Sequence, residues 1–336
     1  MPATQPDKIN ILLIVTPKFN LSASVGFLDP FRAANYLEGR SKFGWVVASE
    51  DGGSCLASNG LNLETTSLAE VQSTPFDMVV VSSSWSPEGN KSSRLRAALW
   101  RWYKAGSALG GLDTGAFILA EAGMLDGRRA TVHYEHLDAF SELYPNIKAS
   151  EDICVFDERV MTCCGGVASV DFALAIMRET HGDALANSVA RYIFKSRVRP
   201  PETRQNSELS EPLGRKVPQI IKNAIDTMEA NLETPLSIPE ICAAVGISQR
   251  QLNRLFVRFV GHSPSLYYRD IRLDRARGLV TQTELALSQV ALASGFASQV
   301  HFSRAYHDRF GLPPSRDRIE GRVPFEFRAW PMYRKI

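Results

Sequence analysis

LSIPEICAAVGISQRQLNRLFVRF, residues 236–259, reads as two short helices hinged on a glycine. Ile238, Ile241, Cys242 and Val245 recur at helical spacing and make one apolar stripe. Gly246 supplies a left-handed turn position where a β-carbon would clash. Ser248 is placed to cap a second helix whose Leu252, Leu255, Phe256 and Phe259 point inward. Gln249, Arg250, Gln251 and Arg254 are left facing outward near its N-terminal half, the part of a recognition helix that meets base edges in the major groove. LALSQVALASGFASQVHFSRAYHDRFG, residues 285–311, repeats the pattern around Gly295. There Val290, Ala291 and Phe296 pack with Phe302, Ala305 and Phe310, leaving Ser298, Gln299, His301, Ser303 and Arg304 outward. One such pattern is weak evidence. Two of them, joined by a rigid helix over 266–279 that begins after Pro264, predict an all-α tandem helix-turn-helix domain over 215–320.

Charge points the same way. Residues 212–336 carry 18 Lys and Arg against 11 Asp and Glu, whereas residues 1–211 carry 20 against 25. The overall net charge of +2 therefore hides a basic C-terminal part joined to an acidic body, an asymmetry suited to phosphate attraction by one domain and not the other. Arg269, Arg272, Arg275 and Arg277 on the spacer helix are further candidates for phosphate contact.

These residues carry a resemblance to the DNA-binding domain of AraC-family transcription regulators. The family's run of motifs is matched by Gly246/Ser248, Gly261-His262-Ser263-Pro264/Tyr267, Arg272-Leu273/Ala276, Gly295-Phe296 and Phe310-Gly311/Pro314. The resemblance implies that Ser248, Gln249, Arg250, Gln251, Arg254, Ser298, Gln299, His301, Ser303 and Arg304 face DNA, with the two units in successive major grooves about 10 bp apart. It also implies that Arg272 packs inward.

A chain of 336 residues suits two domains, and 44% apolar with 22% charged residues is an ordinary globular composition. No apolar run approaches the roughly 20 residues of a membrane span. The N-terminal run lacks the features of a signal peptide, and five cysteines without framework spacing suit a reducing compartment, so the expected location is cytoplasmic. Before a polar linker expected over 199–214, apolar runs alternate with helical patterns. Strands are expected over 9–16, 43–49, 77–82, 108–112, 130–133, 153–156 and 160–163, and helices over 23–38, 92–105, 114–122, 134–144, 167–181 and 183–195. Such alternation implies a parallel sheet covered on both faces, over 8–198.

Within this body, SALGGLDTGAFILAEAGMLDGRRATVHY (107–134) is a buried strand that ends abruptly at Asp113, followed at once by a helix. A strand-elbow-helix turn presents one side chain at the carboxyl edge of the sheet, where open α/β sheets bind ligands. The run resembles class I glutamine amidotransferase-like domains of the PfpI type, in particular those fused to AraC-type domains in GlxA-like regulators. The implied fold class is α/β: an N-terminal flavodoxin-like parallel-sheet sandwich followed by the all-α tandem helix-turn-helix domain. Enzymes of that superfamily carry cysteine at the elbow; here it is aspartate, a poor nucleophile toward amides. A non-catalytic sensor domain is therefore expected, with no catalytic residue, metal or cofactor. The alternative is an amidase or deglycase-like enzyme with a DNA-binding tail.

Asp113 has two readings: a cap for the helix beginning at Thr114, or an ionised counter-charge for a cationic ligand, its charge favoured by the helix N-terminus. Thr114, His133, Trp85 in the loop SSSWSPEG (82–89) and Asp29 are the other candidate ligand contacts, and His136 is read as a surface residue. Cys163-Cys164 is read as buried packing. DTGAFILA (113–120) and TVHYEHLDAF (131–140) resemble regulators of quaternary-amine and amino-acid catabolism, such as glycine betaine or carnitine responders. The resulting expectation is a transcription regulator, an activator, that answers a small amine or betaine-like metabolite. Its expected partners are double-stranded DNA, the effector, a second copy of itself and RNA polymerase.

Overall fold

The first strand, β1 (Ile9–Val15), is almost continuously apolar because both of its faces are covered. Ile11, Leu13 and Val15 enter one core with Phe27, Phe31, Phe172 and Met177. Leu12 and Ile14 enter a second core with Leu99, Trp102, Phe117 and Leu119. Successive side chains of a strand point to opposite sides, so a strand between two helical layers loses its polar alternation.

The computed structural model describes residues 8–85, 92–205 and 218–320. The chain divides into two units, Met1–Gln205 and Asn206–Ile336. In the first, α1 (Leu21–Glu38), α6 (Ala168–His181) and α7 (Asp183–Tyr192) cover one face of the sheet. α2 (Leu68–Val71), α3 (Ser93–Ala105), α4 (Gly115–Glu121) and α5 (Leu137–Leu143) cover the other.

The remaining strands are β2 (Phe43–Ser49), β3 (Gly53–Leu56), β4 (Asn62–Ser67), β5 (Met78–Ser83), β6 (Ala108–Asp113), β7 (Arg129–Thr131), β8 (Lys148–Ser150), β9 (Cys154–Asp157) and β10 (Val160–Cys163). The main sheet runs β3-β4-β2-β1-β5-β6-β10-β9. Its inner pairs are parallel, but β3 and β9 lie antiparallel at the two edges. The expected parallel sheet is thus present, with one antiparallel strand added at each edge. The hairpin β3–β4, too polar to show a buried-strand pattern, was not expected at all. The expected strand over 130–133 forms a separate parallel pair, β7 with β8. The helix expected over 134–144 is a single 3₁₀ turn, Tyr134–His136, leading into α5.

The expected linker over 199–214 also changes. Cys154 and Ile153 donate backbone hydrogen bonds to the carbonyls of Pro201 and Thr203, and Gln205 donates to that of Glu151. Asp171, buried on α6, accepts from Lys195 Nζ at 3.1 Å and from both the backbone and guanidinium of Arg199. A buried carboxylate demands such partners. Residues 199–205 are therefore stitched to the sheet unit, and 206–214 lie outside the described residues.

In the second unit, α8 (Gln219–Glu229), α9 (Ile238–Val245) and α10 (Gln249–Phe259) pack with the start of α11 (Pro264–Gln282) through Ile225, Ile241, Leu252, Phe256 and Tyr268. The far end of α11 packs with α12 (Leu287–Ala293) and α13 (Gln299–Phe310) through Leu279, Val280, Val290, Phe302 and Tyr306. A last helix, α14 (Pro314–Glu320), sets the buried carboxylate of Asp317 against Arg277 and the hydroxyl of Tyr306. The long helix thus belongs to two small cores at once.

Candidate effector site and nucleic-acid interface

Asp113 closes β6 with φ 58°, a left-handed conformation that costs a non-glycine residue about 1–2 kcal/mol. Close packing holds it there. A β-carbon at Gly115 would overlap the carbonyl oxygen of Val81, and one at Gly165 would come within 2.8 Å of the Asp113 side chain. The elbow is thus wedged between the end of β5 and the Cys163-Cys164-Gly165 turn after β10.

Asp113 is 4% exposed, and its carboxylate does not cap α4. The N-cap position belongs to Thr114, which makes no side-chain cap and instead donates its hydroxyl to the Ser84 carbonyl at 2.5 Å. Asp113 Oδ2 accepts from Nδ2 of Asn20, 2.7 Å away, while Oδ1 of Asn20 caps α1 through the Ala23 N–H. Burial pushes the Asp113 pKa up to about 6 against the opposing pull of His133, Asn20 and Ser84, with Glu135 adding to the rise. The expectation that the helix terminus would keep this charge favoured is corrected: desolvation outweighs it.

The candidate residues are not all brought together. His133 lies close enough to act electrostatically on Asp113, and its ring stacks on Tyr134 with centroids 4.5 Å apart. Trp85, half-buried, directly follows the Ser84 that Thr114 holds; residues 86–89 of its loop lie outside the described residues. Asp29 is elsewhere. It sits nine residues beyond Asn20, about 13 Å along α1, and is paired with Arg32 at 2.5 Å. His136 is buried, edge-on to Phe117, rather than on the surface. Asn20 went unnoticed because nothing local marks it: it reads as a helix cap, and its second role depends on a residue 93 positions away. The five cysteines are free and buried, with Cys163 opposite Cys154 across β10 and β9.

The helix-turn-helix units are built from ordinary helix-end chemistry. Ser237 and Glu240 form a reciprocal capping box on α9, and Gly246 ends that helix at φ 72°. Ser248 Oγ accepts from the Gln251 N–H, and Ser298 Oγ accepts from the His301 N–H. These two serines thus cap α10 and α13, each with its O–H left as a donor. Gln249, Arg250, Gln251, Arg254, Gln299, His301 and Arg304 are exposed, and Ser303 is half-buried. On the spacer helix, Arg272 packs inward: its guanidinium lies over the rings of Phe296 and Tyr268 and donates to the Gly295 carbonyl at 2.8 Å. Arg277 is held by Asp317, which corrects its expected phosphate role.

Two family models match these two units. Residues 10–179 match the DJ-1/PfpI family, and residues 241–319 match the helix-turn-helix domain. Along nearly the whole chain there is 37% identity to the HTH-type transcriptional regulator CdhR of Pseudomonas aeruginosa, covering 91% of this chain and 90% of that one. The chain belongs to the HTH-type transcriptional regulators. GbdR, from the same organism, is 34% identical over 94% of this regulator and 85% of its own length. GlxA of Rhizobium meliloti is 32% identical over 91% and 94%. A solved ThiJ/PfpI family protein from Pseudomonas syringae shares the fold, with TM-score 0.52 and 18% identity over 74% of this chain and 98% of that one. This regulator binds DNA and is not an enzyme, as its relatives over both domains are transcriptional regulators. Among the described residues no helix is long and apolar enough to cross a membrane.

Proposed function

We propose that the sheet unit is a non-catalytic sensor whose effector is a small cation or zwitterion, a betaine-like amino-acid derivative, bound at Asp113. The reading is carried by one observation: a buried carboxylate at a left-handed elbow, held by Asn20 and faced by His133. With its pKa at about 6, this group is mostly ionised at neutral pH. A quaternary ammonium donates no strong hydrogen bond and is recognised by negative charge and aromatic faces. Trp85 supplies the aromatic face and His133 a partner for the ligand's own carboxylate, with Thr114 holding the loop in place. Asp29 has no part in this site.

Effector binding biases dimerisation or interdomain geometry in a cytoplasmic homodimer that acts as an activator and engages RNA polymerase. On DNA, Gln249, Arg250, Gln251 and Arg254 of the first unit and Gln299, His301, Ser303 and Arg304 of the second meet bases or phosphates. Ser248 and Ser298 order the helix starts beside them.

Calorimetry with glycine betaine and carnitine tests the sensor reading. Wild type should bind one of them with an affinity that falls as pH drops below about 6, where Asp113 takes up its proton. Asp113→Asn should bind at least tenfold more weakly while keeping its fold. Equal affinity in the two proteins would leave Asp113 a structural residue. If neither they nor other amines and amino acids shift the melting temperature, the body is a dimerising module on a constitutive DNA-binding protein.

A further inference from the structure

The second recognition helix carries an apolar side chain that its core does not use. Val300, the second residue of α13, is 69% exposed. Isolated exposed valines are common on protein surfaces; this one is singled out by position. Phe302 and Tyr306 fix which face of α13 is buried. At 3.6 residues per turn, Val300 and Arg304 then lie one turn apart on the opposite, outward face.

The two helix-turn-helix units also repeat one another in register. Ser298 caps α13 as Ser248 caps α10, each accepting an N–H from the third residue of its helix end. Phe302 and Tyr306 occupy the core places of Leu252 and Phe256, and Arg304 stands where Arg254 does. In that register Val300 replaces Arg250, a change from a cation with five donors to a side chain with none. Such a residue gains nothing from phosphates or from the hydrogen-bonding edges of bases.

We propose that Val300 contacts the 5-methyl group of a thymine in the major groove, a specificity element of the second half-site that the first unit lacks. Thymine's methyl group is the one apolar mark a base pair presents in that groove. A β-branched side chain in a helix is held near one rotamer, so its methyl groups are already positioned. The proposal rests on α13 being the DNA-reading helix of the second unit, and the test separates the two.

Duplexes selected by the full-length protein from a randomised pool define the binding site. The half-site of α13 is the one whose footprint fades in Arg304→Ala. Each thymine there is then replaced by deoxyuridine, which removes the methyl group and leaves every hydrogen-bonding group in place. One replacement should weaken wild type roughly three- to fivefold, the loss expected for one buried methyl group, and should leave Val300→Ala unaffected. Because Val300 is exposed, Val300→Ala should melt like wild type, so that loss of fold does not confuse the reading. If Arg304→Ala footprints like wild type, the placement of α13 fails and the proposal with it. If that footprint fades but no thymine methyl matters, or its effect persists in Val300→Ala, the Val300 contact alone is overturned.

Discussion

Asp113 shows how one residue can be both strained and poorly solvated. Its φ is 58°, its carboxylate is buried, and its pKa is raised from 3.8 to about 6 chiefly by that burial. A carboxyl group whose folded pKa lies above the unfolded one favours the fold while protonated, and that contribution is lost as pH rises through the folded value. Stability of wild type relative to Asp113→Asn should therefore fall between about pH 4 and pH 6 and stay flat above. The full swing is on the order of 3 kcal/mol. Urea melts of both proteins across that range give the difference directly. A wild-type advantage growing with pH would mean that His133, Asn20 and Ser84 stabilise the anion more than burial penalises it. Asn20 ties two functions together, since it caps α1 with one amide atom and holds Asp113 with the other. Asn20→Asp should keep the cap but set a second carboxylate beside the first, raising the Asp113 pKa further and weakening any cationic effector less than Asp113→Asn does.

Among elements, α4 and the junction of the two helix-turn-helix units depend on glycines with no room to spare. Adding a β-carbon at Gly115 drives it into the Val81 carbonyl, so Gly115→Ala should destabilise the sheet unit by about 2–3 kcal/mol in a denaturant melt and displace the elbow. In the second unit Gly295 has φ 72°, and a β-carbon there would overlap Pro235, in the loop before α9. The turn of the second helix-turn-helix therefore packs directly on the approach to the first. Arg272 binds the same turn by its hydrogen bond to the Gly295 carbonyl, and Tyr268, one turn earlier on α11, donates to the Asn231 carbonyl at 2.5 Å. Arg272→Met keeps much of the packing and removes the donor. It should cost about 1–3 kcal/mol, through the carbonyl left unpaired, and loosen the spacing between α10 and α13. A melt of the variant and its affinity for sites with half-sites moved by one base pair measure both effects. Unchanged stability and unchanged spacing preference would assign the junction to α11 alone.

At the scale of the whole molecule, charge is divided between the units: the C-terminal part is basic and the body acidic. DNA affinity of the full chain should fall steeply with salt, in proportion to the phosphates neutralised, and a chain ending at Gln205 should not bind duplex DNA at all. Arg254→Ala and Arg304→Ala should each weaken specific binding by about 1–3 kcal/mol where the arginine reads a base; if both footprint like wild type, neither α10 nor α13 is placed correctly. The tandem helix-turn-helix, its caps, the buried strands and the elbow at Asp113 were legible in the amino-acid order, because each rests on neighbours within a turn or two: a serine three residues from the N–H it accepts, a glycine at a helix end, an apolar run between turn residues. What depended on distant partners was not. The antiparallel edges β3 and β9, the stitching of residues 199–205 to the sheet, the burial of His136, the pairing of Arg277 with Asp317 and the hold of Asn20 on Asp113 all join segments remote in sequence. Local periodicity gives which face of an element is buried, but not what will lie against it. Only the assembled fold decided that Asp113 would be desolvated, since burial is a property of everything packed around a carboxylate and not of the residues beside it in the chain.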